Sequence, residues 1–216
     1  AGVYFSKSIQ WDRSTLISNT GYNNLGPLYQ ILKLNREWER APENISENLV
    51  YRKRLGEQGM LKAMGAYHRD KSALWIKNLN ADDEELFALD NNNYYVNATY
   101  KDQFIKDWVV HLGMTTNVDH LNMGLNDTAR LDDHKASGEF KLSFSGPVND
   151  HVHLNVGGNL YLQSLTRNYY RDYQEHDFSS RCKGTIGAFY AEIELDVTER
   201  ISSRLGGRFE SLSLSK

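Results

Sequence analysis

The 216-residue chain has a single cysteine, Cys182, so neither an intramolecular disulfide nor a thiolate metal cluster is open to it. Its Ser-Ser-Arg-Cys-Lys setting supplies no base to activate the thiol, which reads as an incidental loop residue. Prolines are scarce as well. Pro27, Pro42 and Pro147 are the three present, and each is expected outside the strands, because a strand within a sheet needs all its N–H donors. Charge of one sign is lacking: Lys+Arg 25 against Asp+Glu 28 leave a formal net charge of -3, and the longest basic run is Arg52-Lys53-Arg54. Neutralising phosphates requires a basic excess, so nucleic acid is not favoured as a partner. No stretch of about 18 apolar residues occurs, which excludes a spanning helix but not a spanning strand, for which about 10 residues of alternating pattern suffice. Ala1 is no start methionine and no secretory leader follows it, so the chain is expected to be processed or cut from something longer.

What the chain does have is 40% apolar and 12% aromatic residues with a mean hydropathy of -0.62, too much apolar material for disorder. No linker or composition break divides it, and residues 1–216 are expected to be one unit. From residue 94 onward the apolar residues fall at every second position, the period of a strand. Val152, Leu154, Val156, Leu160 and Leu162 alternate with His153, Asn155, Asn159, Tyr161 and Gln163. Phe189, Ala191, Ile193, Leu195 and Val197 alternate with Tyr190, Glu192, Glu194 and Asp196. The same pattern runs through 94–100, 108–115 and 138–144. Upstream it is fainter, with strands expected over 49–55 and 61–76 and weaker ones over 3–9 and 29–38, while 82–89 is expected to form a helical turn.

Connections alternate in length. Short turns are expected at 56–59, 101–107, 146–150 and 198–200, and long polar segments near 36–48, 78–92, 117–136 and 164–183. A soluble sandwich has no reason for this alternation, whereas an outer-membrane barrel has short turns on one rim and long loops on the other. Charges such as Glu192, Glu194, Arg204, Arg208 and Glu210 in mid-strand suit a face that borders a wet lumen. Trp75, Tyr94, Tyr95, Trp108, Tyr169 and Tyr170 are placed towards strand ends, as an interfacial girdle would be.

The hairpin over 185–214, TIGAFYAEIELDVTERISSRLGGRFESLSL, resembles a barrel hairpin of TonB-dependent outer-membrane receptors. The likeness rests on Gly187, Ala188, Phe189 and Glu192 in one strand and on Leu205, Gly206, Arg208 and Glu210 in the next. Segments 92–97, with Lys101, Asp102 and Trp108, and 22–29 are similar to the Bacteroidetes branch of that family. The strand period and the repeat length give an all-β, antiparallel up-and-down meander of about 8–10 strands, and the resemblance makes it part of a larger transmembrane β-barrel of about 22 strands. It also implies outer-membrane lipid as surroundings, a transported siderophore, cobalamin, glycan or other small molecule, and TonB acting through a plug. No plug and no TonB-binding motif is seen in 1–216, so the chain is expected to be an internal barrel segment, without enzymatic activity or cofactor.

Among candidate site residues, His151 and His153 are two apart on one strand face. They would ligate a metal given a third ligand, but just after a turn a solvated rim pair is the simpler reading, and no metal is expected. Glu192 and Glu194 would suit acid and base work; in a barrel they face the lumen and pair with Arg204 or Arg208 across the hairpin. Tyr169, Tyr170 and Tyr173 form the candidate ligand-capture loop. Two other readings stay open: a small complete barrel with a structural, adhesive or enzymatic role, and a soluble all-β carbohydrate-binding module.

Overall fold

The computed structural model describes residues 2–26, 38–77, 83–105, 107–126, 128–171, 177–198 and 201–215. Ten strands follow one another: β1 (Gly2–Trp11), β2 (Ser14–Asn24), β3 (Trp38–Leu55), β4 (Gly59–Lys77), β5 (Glu84–Ile105), β6 (Trp108–Leu125), β7 (Ala129–Asn149), β8 (Val152–Arg171), β9 (Phe178–Thr198) and β10 (Ile201–Ser215). Each pairs with its sequence neighbours, antiparallel, in one ten-stranded sheet. The all-β up-and-down meander is therefore the architecture. Strands of up to 22 residues are about twice the length that spans a bilayer, so they extend beyond any membrane they cross.

The short turns cluster on one rim and are tighter than the sequence suggests. Residues 12–13, 56–58, 106–107 and 150–151 connect β1 to β2, β3 to β4, β5 to β6 and β7 to β8. Positive φ at Asp12, Arg13, Gly56 and Asp107 places these residues in the left-handed region, which Gly and Asp tolerate best and which lets a tight turn follow the right-handed twist of the strands it joins. The expected long loops are mostly strand: residues 38–48, 84–92, 117–125, 129–136, 164–171 and 178–183 lie on ladders. Asp83 precedes β5, and from Glu84 to Leu89 the chain is extended, not a helical turn. Strand β2 was not expected, since Leu16 and Ile17 are adjacent and the rest of the strand is polar. Residues 29–37 of the expected 29–38 strand lie outside the described residues.

Two prolines depart from expectation. Pro42 lies in β3 and Pro147 in β7. Both sit beside a break in pairing, between Arg40 and Glu43 and between Pro147 and Asn149, where a missing N–H costs no ladder bond.

No second layer covers the sheet among the described residues. Ala73 is the one buried hydrophobic side chain there, and apolar side chains in the middle of the sheet, well away from its edges, stay open: Met114 is 53% exposed, Phe140 46% and Leu162 49%. A water-soluble sandwich would bury that face against a second sheet. Here it is left bare, as a face turned to lipid would be.

Candidate functional site

Register assigns every side chain to one of two faces. Across β8 and β9, Val152 stands opposite Leu195, Leu154 opposite Ile193, and Val156 opposite Ala191. His153 meets Glu194, and Asn155 meets Glu192, on the other face. Following the ladders outward, Leu154, Gly146 and Ile193 share a face, as do Leu160, Phe140, Met114 and Ala98. This apolar face is the convex one, because the open recesses of the sheet are lined almost wholly by the polar face. On β8 the apolar run from Val152 to Leu162, at roughly 3.3 Å per residue and a tilt of about 45°, rises roughly 25 Å, the height of a lipid-facing band. Aromatics border it. The Tyr67 and Tyr94 rings stack at 4.9 Å between centroids near its upper limit, and Trp11 and Tyr51 lie 6.2 Å apart towards the short-turn rim. Tyr94 is thus mid-strand, not at a strand end, because the strand outruns the band.

Above the band, polarity changes sides without any change of register. On β5 the convex face passes from Tyr94, Val96 and Ala98 to Asn92 and Asp90, while the concave face passes from Asn93, Tyr95 and Asn97 to Leu89 and Phe87. On β6, Val110, Leu112 and Met114 give way to His120 and Asn122, and the concave side gains Leu121, Met123 and Leu125. The convex polar groups pair laterally. Arg69 donates to both Asp90 oxygens, at 3.2 and 2.9 Å, Lys71 reaches the same carboxylate at 3.2 Å, and His120 Nε2 lies 3.0 Å from Asp132. That outer surface is built for water, and it begins where the apolar band stops.

The candidate lumen residues are distributed unevenly. His153, Glu192, Glu194 and Arg204 line one open recess of about 530 Å³ on the concave face near the short turns. There Arg204 donates through Nη2 to Glu194 at 3.0 Å, and its Nε lies 3.5 Å from Glu192. Arg208 stands opposite Tyr190 and pairs with Glu210 on its own strand. His151 is not on the strand face with His153; it occupies the turn, where its N–H donates to Asn149 Oδ1 at 2.9 Å and its carbonyl accepts from Asp196 N at 2.8 Å. Among the described residues no group of three or more His, Cys, Asp or Glu is placed to hold a metal ion. Tyr169 lies on the concave face beside Leu131 and Tyr170 on the convex face beside Arg130, so the two do not form one surface; Tyr173 lies outside the described residues.

Two features of the concave face were not read from sequence. One is the cluster of Asn44, His68 and Asp70, in which Asn44 Nδ2 donates to Asp70 Oδ1 at 2.7 Å and lies 3.0 Å from His68 Nε2. The other is the apolar lining near the long connections, where Phe87 and Leu89 face Leu125 and Met123, and Met123 faces Leu131. Its signal was present as an alternation whose phase is reversed relative to the lower half of each strand.

No family model matches the chain, and no curated protein matches it. Among solved structures, the fold is similar to that of the ferric yersiniabactin uptake receptor FyuA from Yersinia pestis, with a TM-score of 0.58 at 8% sequence identity, over 99% of this chain and 40% of that one. The chain thus spans about two fifths of that receptor's length, and its ten-stranded meander has the fold of part of a TonB-dependent receptor barrel.

Proposed function

We propose that the chain forms part of the wall of a TonB-dependent receptor in a bacterial outer membrane, and that the whole protein takes up an external ligand with energy relayed through TonB to a plug. The observation that carries this reading is the bare apolar band on the convex face, about 25 Å tall, bordered by aromatics and followed by an outer surface of ion pairs. The resemblance of the 185–214 hairpin to receptor hairpins and the likeness of fold support the same reading. In it, His153, Glu192, Glu194, Arg204 and Arg208 face the lumen, and His151 caps the short-turn rim. Tyr169 belongs to the ligand-facing side of the long hairpins. Siderophore, cobalamin and glycan all remain compatible with that lining.

Neighbouring residues of opposite face test it. In membranes from cells that make the protein, in a Cys182→Ser background, a water-soluble maleimide is expected to label Asn159→Cys and spare Leu160→Cys, and a lipid-soluble maleimide to do the reverse. Equal labelling of both positions by the water-soluble reagent removes the membrane premise. Uptake is then measured with the whole protein, where loss of proton-motive force should abolish accumulation of the ligand but not its binding.

A further inference from the structure

Strand β9 carries two cations on the convex face, Arg181 and Lys183, where its apolar band ends. Below them that face runs through Phe189, Gly187 and Thr185, and Lys183 is the first charge met above the band. Both cations are exposed, and neither has a hydrogen bond or an ion pair among the described residues. Elsewhere on the outer surface such groups have acceptors: Arg69 and Lys71 share Asp90, and Arg130 donates through Nη2 to Asn122 at 3.2 Å. No carboxylate flanks the pair on β9. Lys183 stands opposite Ser164 on β8 and Ser215 on β10, and Arg181 stands opposite Thr166. In the row above, Ser179 donates to Asn168 Oδ1 at 2.7 Å.

The patch thus sets a guanidinium, an ammonium and two hydroxyls around one spot with no counter-charge. Arg181 and Lys183 are roughly 6.6 Å apart along the strand, and the hydroxyls lie about 4.8 Å away on β8, so the two long side chains converge on one group outside the wall. A phosphate monoester fits that set, with close to two negative charges against two cations and three oxygens for the donors. Beneath the patch the wall is open. A β-carbon added at Gly187 would meet no atom within 4 Å, and Gly187 lies between Leu160 on β8 and Ser211 on β10. This furrow descends from Lys183 past Thr185 to the exposed rings of Phe189 and Phe209, which stand opposite each other. A phosphate dissolved in water would use the patch and leave the furrow empty. A phosphorylated lipid fills both.

We propose that a membrane lipid bearing a phosphate monoester seats on the convex face over β8–β10. Arg181, Lys183, Ser164 and Thr166 hold its phosphate, and one acyl chain lies in the furrow over Gly187. Salt weakens the hold on the phosphate but not the fit of the chain. The inference rests on the reading of this face as lipid-facing.

Contact quenching by brominated lipids tests it. The whole protein, carrying Cys182→Ser and a bimane fluorophore on Phe209→Cys at the foot of the furrow, is reconstituted in phosphatidylcholine vesicles. Quenching by brominated phosphatidic acid, a phosphate monoester, is compared with quenching by brominated phosphatidylcholine. Two cations near the surface should give a roughly tenfold preference for phosphatidic acid, falling to about one in Arg181→Gln/Lys183→Gln. Gly187→Leu, which fills the furrow, should also weaken it severalfold. Bimane on Thr116→Cys, on the same face over β6, should report no preference. Equal quenching by both lipids at Phe209→Cys overturns the proposal, as does a preference that survives the double substitution or is matched at Thr116→Cys. If 10 mM inorganic phosphate abolishes the preference while Gly187→Leu leaves it intact, the patch takes the anion alone and the proposal also fails. Absence of quenching by either lipid at both positions would fail the reading of the convex face as lipid-facing, whereas equal quenching by the two lipids fails this inference alone.

Discussion

Tyr190 stands directly opposite Gly157, and its ring occupies the space a β-carbon at 157 would need. Such a carbon would lie 2.6 Å from Tyr190 Cζ and 2.7 Å from the Leu142 carbonyl oxygen. The tyrosine closes over a backbone that glycine leaves bare, on the concave face and next to the Glu192 carboxylate. Gly157→Ala is expected to cost about 1–3 kcal/mol through forced movement of the ring and the backbone. Because one clash is with a main-chain oxygen, Tyr190→Ala should relieve only part of that cost. Urea unfolding from lipid vesicles measures both; full rescue by Tyr190→Ala would contradict the backbone contact.

Leu160 and Asn159 are neighbours in sequence and belong to opposite sides of the wall. Arginine in place of Leu160 is expected to destabilise the membrane-inserted protein by about 1–2 kcal/mol, the cost of a cation between the middle of the hydrocarbon and its outer edge, and Asn159→Arg by well under half as much. The two variants are compared by equilibrium unfolding in the same lipid. Similar losses at both positions would mean that the convex face is not the one in contact with acyl chains.

Above the band, Asp90 is shared by Arg69 and Lys71 on the outer surface. These side chains are about one-third open to solvent, so the pairings are discounted by screening, and Asp90→Asn should cost only about 0.5–1 kcal/mol at low salt. In 1 M NaCl that difference should shrink towards nothing, while the penalty of Leu160→Arg persists. A salt-independent loss on Asp90→Asn would indicate packing and not charge.

Arg204 bridges Glu192 and Glu194, and all three are well exposed. Arg204→Ala should therefore cost less than about 1 kcal/mol by itself, leaving two carboxylates side by side on one face of β9 without their cation. Combining it with Glu194→Gln is expected to recover most of that loss. A double-mutant cycle with no coupling would show that the bridge contributes nothing to the register.

The lower half of the wall was legible in the residues because each strand there obeys a single rule. Val152 through Leu162 and Phe189 through Val197 keep one face apolar, and their register places Leu154 opposite Ile193 and Glu192 opposite Asn155. The upper half was read as loop for a physical reason. Where the apolar set crosses to the other face, a stretch such as Asn91-Asn92-Asn93 has no apolar member on either side, and a period-2 test finds nothing to count. The ladder nevertheless runs through it, pairing Asn91 with Asp70 and Leu121. Strand β2 escaped for a related reason: Ser14–Asn24 owes its conformation to neighbours on both sides more than to its own pattern. In the candidate site, the Glu192, Glu194 and Arg204 group was visible as charge on one strand face. The Asn44, His68 and Asp70 cluster was not, because its members become neighbours only once β3 and β4 are paired.

The reversal of polarity along β4 to β8 also gives the wall a float line. If the sheet sinks by two residues, Arg69, Asn92 and His120 enter hydrocarbon; if it rises by two, Val96 and Leu162 leave it. Both displacements raise the free energy, by up to about 1 kcal/mol for a basic charge carried just inside the interface and roughly 0.8 kcal/mol for each methylene re-exposed. A plain amphipathic strand of the same length would slide along the membrane normal at little cost. This one is held from above and below, so bilayer depth is encoded in the alternation itself and does not depend on anchoring by the connections at either rim.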